Sequence, residues 1–251
     1  MNFSTPAIVC AVLPHGEHGV VARLLTPKHG LRAGYVRGGR GRGLRPVLQL
    51  GNAVAAEYRS RVTEQLAALT VELAQSRALL AMEADSAAAT EWVCGLVAAA
   101  LPEAQPFPAV YTALDALLDA MAGPDGAAWA GALARFELGL LGELGFGLDL
   151  SRCAATGEGA ATADLTHVSP RSGGAVSRIA AAPYSTRLLK LPPFLLGQGR
   201  ADWGQAADAL RLTRHFLDRD VLEGRARGLF AARDRLSALV ERRASQMRNP
   251  S

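Results

Sequence analysis

Short apolar runs interrupted by glycine, proline and charge fill the amino-terminal part of the chain, and helical periodicity fills most of the remainder. Ala7–Leu13 is apolar and bounded by Pro6 and the His15–Gly19 loop. Val20–Thr26 ends at Pro27-Lys28-His29-Gly30, a turn by composition, and Leu31–Arg37 leads into a Gly-Arg repeat. Gln49–Arg59 and Gln65–Glu72 complete a set of five predicted strands. Five short strands with glycine-rich connections suit a compact barrel or sandwich, and five is the strand count of the OB-fold.

From Ser76 the period changes. Ser76–Ala100 is alanine-rich and helical. Phe107, Val110, Tyr111, Leu114, Leu117, Leu118 and Met121 then recur at the three-and-four spacing of an amphipathic helix, with Asp115 and Asp119 on its polar side. Gly123-Pro124-Asp125-Gly126 breaks it. Trp129, Leu133, Phe136, Leu140 and Leu144 form the stripe of a third helix, which stops around Gly145 and Gly147. Cys153–Ser177 is expected to be an irregular insertion, and Asp202–Asp220 and Leu229–Arg243 two further helices.

Composition alone changes this picture little. The chain has 251 residues, 49% hydrophobic and 20% charged, with a net charge of +4. That is enough apolar material for a sizeable core, and it argues against disorder. The distribution of charge is more informative. Met1–Arg61 holds nine basic residues against only Glu17 and Glu57, a net +7, so the remainder must carry −3. Such asymmetry points to a polyanionic partner at one end. Cys10, Cys94 and Cys153 are scattered, with no C-x-x-C pair, which suits a reducing, cytoplasmic setting. Neither a signal peptide nor an uninterrupted apolar run of membrane-spanning length is present, so no membrane partner is expected.

The basic stretch concentrates in Arg37-Gly38-Gly39-Arg40-Gly41-Arg42-Gly43-Leu44-Arg45. Glycines let a loop lie close to a phosphate backbone, and guanidinium forks match phosphate oxygens. Arg23, Lys28 and Arg32 on or beside neighbouring strands are expected to extend the same surface. Aromatic platforms for bases are sparse, Tyr35 and Tyr58 only, so binding is expected to rest on phosphates.

No catalytic constellation emerges. His15, Glu17 and His18 share a loop but lack the further ligands a zinc site needs. The Gly-Arg loop has no G-K-[ST], and Cys153 has no recognisable base partner. The expectation is a binding protein rather than an enzyme.

Several ordered features resemble the bacterial DNA repair protein RecO family. They are Ala7–Leu13, the Gly16-Glu17-His18 loop, Arg23–Leu31 (RLLTPKHGL) and Arg37-Gly38-Gly39-Arg40. The run Phe136–Cys153 (FELGLLGELGFGLDLSRC) is the most specific, followed by Val168–Val176 and Leu210–Leu217. The resemblance implies an α+β multidomain chain. An N-terminal five-stranded OB-fold β-barrel (1–75) would precede an α-helical domain (76–251) with a small zinc-finger-like lobe inserted at about 150–178. It also implies binding of single- and double-stranded DNA, strand annealing, and loading of RecA onto gaps covered by single-stranded DNA-binding protein. RecR and the acidic C-terminal tail of single-stranded DNA-binding protein would be the protein partners. Several family members hold zinc in the lobe through four cysteines. Here only Cys153 remains, with Thr156, Gly157, Ser169 and Ser172 in the region where further thiolates would be needed, so no zinc and no other cofactor is expected. An acidic tail ending in an apolar residue needs an apolar pocket beside a cation, for which Leu210, Arg211, Arg214 and Phe216 are candidates. The opposing reading makes the apolar members core and the arginines solvated. Arg225, Arg227, Arg233 and Arg235 could also join a DNA surface. Two other function classes stay open: an RNA- or ribosome-associated OB-domain protein, and a hydrolase centred on His15, Glu17 and His18.

Overall fold

The computed structural model describes residues 2–60, 66–123, 126–222 and 227–248; the predicted Gln65, Pro124-Asp125 and Arg225 lie outside these. The element order is β1 (Asn2–His15), β2 (Gly19–Thr26), β3 (Gly30–Val36), β4 (Ala53–Arg59), β5 (Ala67–Gln75), α1 (Ala84–Ala100), α2 (Pro108–Met121) and α3 (Gly126–Glu143). It continues with β6 (Leu165–Val168), β7 (Ala175–Ser177), α4 (Arg178–Ala181), β8 (Leu189–Lys190), α5 (Trp203–Phe216) and α6 (Arg227–Arg248). Two compact units result: residues 1–122 with 228–233, and residues 123–227 with 234–251.

In the first unit the five strands close a barrel in the order β1-β2-β3-β5-β4 and back to β1. β1 serves two neighbours. Its first half pairs with β4, its second half with β2, and a bulge between Val9 and Ala11 turns the strand from one to the other. Pro6 therefore does not bound the strand but lies inside it, opposite Ala55. A proline's fixed φ is compatible with extended backbone, and it forfeits only one N–H. Alternate residues point inward. Small side chains (Ala7, Ala22, Ala56, Ala67) interleave with Val9, Leu24, Val54, Leu69 and Val71, filling a narrow barrel.

Residues 37–52, between β3 and β4, are helical turns rather than an open loop. Gly41 N–H donates to Gly38 O, Arg45 N–H to Gly41 O and Leu48 N–H to Leu44 O. Leu48 is buried, and Leu44, Val47 and Leu50 rest on the barrel core. The segment thus plugs one end of the barrel with apolar side chains and presents its arginines outward. Residues 49–52 belong to this plug, so the fourth strand starts at Ala53 and not at the expected Gln49. Buried Asn52 fixes the plug by donating to Pro46 O and Val47 O and accepting from Arg77 N–H.

Arg77 explains why α1 and α2 lie with the barrel. Its side chain is only 2% exposed and bonds Gly51 O, Asp115 Oδ1 at 2.6 Å and Asp119 Oδ1 at 2.7 Å. Burial lowers its pKa, but the two carboxylates outweigh that and raise it. The two aspartates expected merely to line a solvated helix face hold a buried cation instead. α1 in turn buries Trp92, whose ring meets Phe230 and the Arg233 guanidinium.

In the second unit, α3 and α5 pack together, with Trp129 edge-on to Trp203 between them, and bury Leu133, Leu140, Ala206 and Ala209. Asp202 caps α5 by accepting from Gln205 N–H, and a π-helical turn at Leu217–Leu222 continues it. The expected irregular insertion carries regular structure: β6 pairs antiparallel with both β7 and β8 in a three-stranded sheet.

Candidate nucleic-acid interface

The seven basic residues expected to form one surface fall into three groups. Arg37, Arg40, Arg42 and Arg45 are exposed together on the barrel plug. The plug is anchored to the β1–β2 turn, because Arg40 donates its backbone N–H to His18 O at 3.2 Å and Nη1 to Glu17 O at 3.1 Å. Gly39 lies flat on the barrel; a Cβ there would sit 2.5 Å from Val20 Cγ2. The result is a rigid shelf bearing four guanidinium groups, a geometry suited to oxygens of a phosphate backbone.

Lys28 and Arg32 lie at the other end of β2 and β3. Lys28 is exposed on the β2–β3 turn; Arg32 is half-buried, its guanidinium 5.9 Å from the Phe3 ring. Arg23 joins neither group. Its Nη1 donates to Ala98 O at 2.6 Å and its Nη2 pairs with Glu103 at 3.2 Å, so it ties β2 to the end of α1. The expected aromatic platform also divides. Tyr58 is fully buried, with its hydroxyl donating to Arg32 O at 3.2 Å, whereas Tyr35 is half-buried beside His15. Burial pushes the Tyr58 pKa up. Phe3 and His29, which pattern reasoning passed over, are half-buried and only 4.0 Å apart between ring centroids.

Glu17 and His18 are 91% and 87% exposed and enclose nothing, and His15 packs edge-on against Tyr35. Among the described residues, no three His, Cys, Asp or Glu side chains are grouped to hold a metal ion.

In the lobe, Cys153 meets Ser177. Ser177 N–H donates to Cys153 Sγ at 3.3 Å, and the Ser177 hydroxyl lies 3.5 Å from the same sulfur while capping α4 through Ala180 N–H. Thr156 also hydrogen-bonds the sulfur. Burial pushes the Cys153 thiol up, but these donors outweigh it and hold the pKa at about 6. Ser169 and Ser172 instead close the turn before β7. One thiolate with two hydroxyls is not a donor set that holds structural zinc.

In the second unit, a cavity of about 160 Å³ is lined by Ala207, Leu210, Arg211, Arg214, Ser237, Val240 and Glu241. Three of the four residues named for a tail pocket meet there. Phe216 does not; it is core, under His215 and Arg219. Arg211 is paired with Asp208 at 2.8 Å and Glu241 at 2.7 Å, and Arg214 with Asp234. Of the C-terminal arginines, Arg233 is buried and Arg235 is exposed, while the Arg227 side chain, like Arg225, is outside the described residues.

A closed OB-type barrel plugged by a segment that bears exposed arginines, followed by helices that carry a small sheet lobe, defines a two-part protein of the OB-barrel class. Residues 1–77 match the model for "Recombination protein O N terminal" and residues 83–227 that for "Recombination protein O C terminal". The chain is 46% identical over 248 residues to the DNA repair protein RecO of Rhodospirillum rubrum, covering 96% of this chain and 97% of the relative. It is 45% identical over 243 residues to that of Phenylobacterium zucineum, covering 94% and 98%. The chain belongs to the RecO family, and with that family goes a role in DNA repair and recombination. No helix among the described residues is long and apolar enough to cross a membrane.

Proposed function

We propose that the protein acts by binding rather than by catalysis, holding single- and double-stranded DNA and annealing complementary strands. On this reading it helps RecA onto gaps covered by single-stranded DNA-binding protein, with RecR as the further partner that kinship implies. The observation that carries the proposal is the rigid shelf of Arg37, Arg40, Arg42 and Arg45, exposed on one end of the barrel. Contacts of guanidinium with phosphate release counterions and do not depend on base sequence. The triple variant Arg37→Ala, Arg40→Ala, Arg42→Ala should therefore bind duplex and single strands more weakly. Its slope of log affinity against log salt should flatten by up to about 0.7–0.9 for each phosphate no longer held. Unchanged affinity and slope would place the DNA surface elsewhere. Stronger retention of structured RNA than of DNA would favour an RNA-associated role instead.

For the acidic tail, the proposed receptor is the cavity between α5 and α6, where Leu210 and Val240 form an apolar floor beside Arg211 and Arg214. Glu241, Asp208 and Asp234 now accept from these arginines, so a tail carboxylate would exchange for them. Titration of a tail peptide against Arg211→Ala and Arg214→Ala tests this; affinity unchanged from the unaltered protein in both would remove the cavity as receptor.

A further inference from the structure

We infer that Phe3 and His29, flanked by Arg32 and Lys28, form a stacking subsite for an unpaired base of single-stranded DNA. The subsite is separate from the arginine shelf. The inference rests on the DNA-binding reading and adds to it a surface that discriminates strand state.

Three rings rise in contact from the barrel interior. Tyr58 is core; Phe3 stacks on it at 4.9 Å between centroids and 16° between planes; His29 lies 4.0 Å from Phe3. The outer two are half-buried, so they reach the surface with their supports already in place. Cation and apolar ring alternate here, with the Arg32 guanidinium 5.9 Å from the Phe3 centroid and Lys28 exposed on the same turn as His29. Single-strand-binding grooves combine these two ingredients, rings for bases and cations for the backbone.

The subsite is held rigidly. Thr26 Oγ1 accepts from His29 N–H at 3.0 Å and donates to Gly30 O at 2.9 Å, which closes the turn. Gly30 has φ of +69°, and a Cβ there would fall on the Gln105 carbonyl, so only glycine lets the turn seat against that segment. The acid beside this end, Glu103, is already paired with Arg23. A preformed ring surface limits the ordering cost of binding.

β2 separates the two surfaces. It has eight residues between the shelf-side Gly19 and the turn-side Thr26. At about 3.3 Å per residue it spans roughly 23 Å, too far for one nucleotide to touch both. The shelf sees only phosphates and accepts duplex or single strand. The ring subsite needs a free base face, which paired and stacked bases do not offer.

The test uses the full chain, a labelled oligothymidylate of about 16 nucleotides, an abasic oligomer of equal length and a blunt duplex. Phe3→Leu keeps apolar volume but removes the ring, His29→Ala removes the outer ring, and Phe3→Trp should restore stacking; thermal melts verify that each folds. Phe3→Leu and His29→Ala together should weaken oligothymidylate binding by about fivefold to 150-fold, the worth of one stacked base. The abasic oligomer and duplex should change little. Unchanged oligothymidylate affinity, or an equal fall on all three ligands, would overturn the subsite while leaving the shelf intact. Failure of the unaltered protein to bind any of the three would overturn the DNA reading and the subsite with it.

Discussion

Replacing Thr156, Ser177 and Ala180 with cysteine should turn the lobe into a structural zinc site. The geometry is nearly in place. Zinc–sulfur bonds of about 2.3 Å at tetrahedral angles set neighbouring sulfurs about 3.8 Å apart. The Cys153 Sγ–Ser177 Oγ distance is already 3.5 Å. Thr156 follows Cys153 at the spacing by which Ala180 follows Ser177, and Ala180 N–H bonds the Ser177 hydroxyl. Both pairs are short turns, and Ser177 joins the second to the Cys153 sulfur of the first, which places two C-x-x-C turns side by side once the three substitutions are made. With free zinc a thousandfold above its dissociation constant, mass action adds about 4 kcal/mol to the fold that binds it. For a unit of this size that raises the melting temperature by about 10–20 °C. Cobalt titration with visible spectroscopy, zinc content after dialysis, and melts with and without chelator measure the three consequences. A triple variant that takes up no cobalt, or takes it up without a rise in melting temperature, would refute the reasoning. Stoichiometric zinc in the unaltered protein would refute its premise.

Three further outcomes rest on particular contacts. The Cys153 thiol has its pKa lowered to about 6 in the fold, against about 8.5 when unfolded. Its contribution is therefore absent below pH 6 and grows as pH rises to about 8.5. Cys153→Ala should abolish that part of the melting profile, and an unchanged profile would show that another group titrates. Asp115→Asn with Asp119→Asn leaves the buried Arg77 cation without its carboxylates. It should cost about 2 kcal/mol in denaturant unfolding, less than a fully buried pair because both aspartates are partly exposed. Gly30→Ala must both hold a positive φ and intrude on Gln105, so it should destabilise the barrel by at least about 1–3 kcal/mol; a neutral substitution would mean that the turn yields.

The barrel was legible because β1–β5 are short apolar runs and several of the connections are glycine-rich. The features that escaped the pattern did so for physical reasons. Gln49–Asn52 resembles the strand after it, but Asn52 folds it into the plug through hydrogen bonds reaching Pro46 and Arg77. Composition shows how many arginines a segment holds but not which ones the fold uses internally. Arg23 and Arg77 therefore look like surface charge until their partners at Ala98, Glu103, Asp115 and Asp119 are seen. Phe3 and His29 lie far apart in sequence, one on the first half of β1 and the other on the β2–β3 turn, and meet only when the barrel forms. The β6–β8 sheet is missed because its strands are four, three and two residues long. Ser177 was hidden for a related reason, since the distance between it and Cys153 along the chain carries no information about their contact.

The stack of Phe230 and Arg233 on Trp92 has a bearing on how the chain is made. The barrel and α1 emerge from the ribosome well before residues 228–233, which belong to the same compact unit. Trp92, inaccessible to solvent in the finished fold, cannot receive this part of its cover until α6 has been made. The barrel unit is therefore complete only once α6 has been made, and loss of that helix should show as a defect around Trp92.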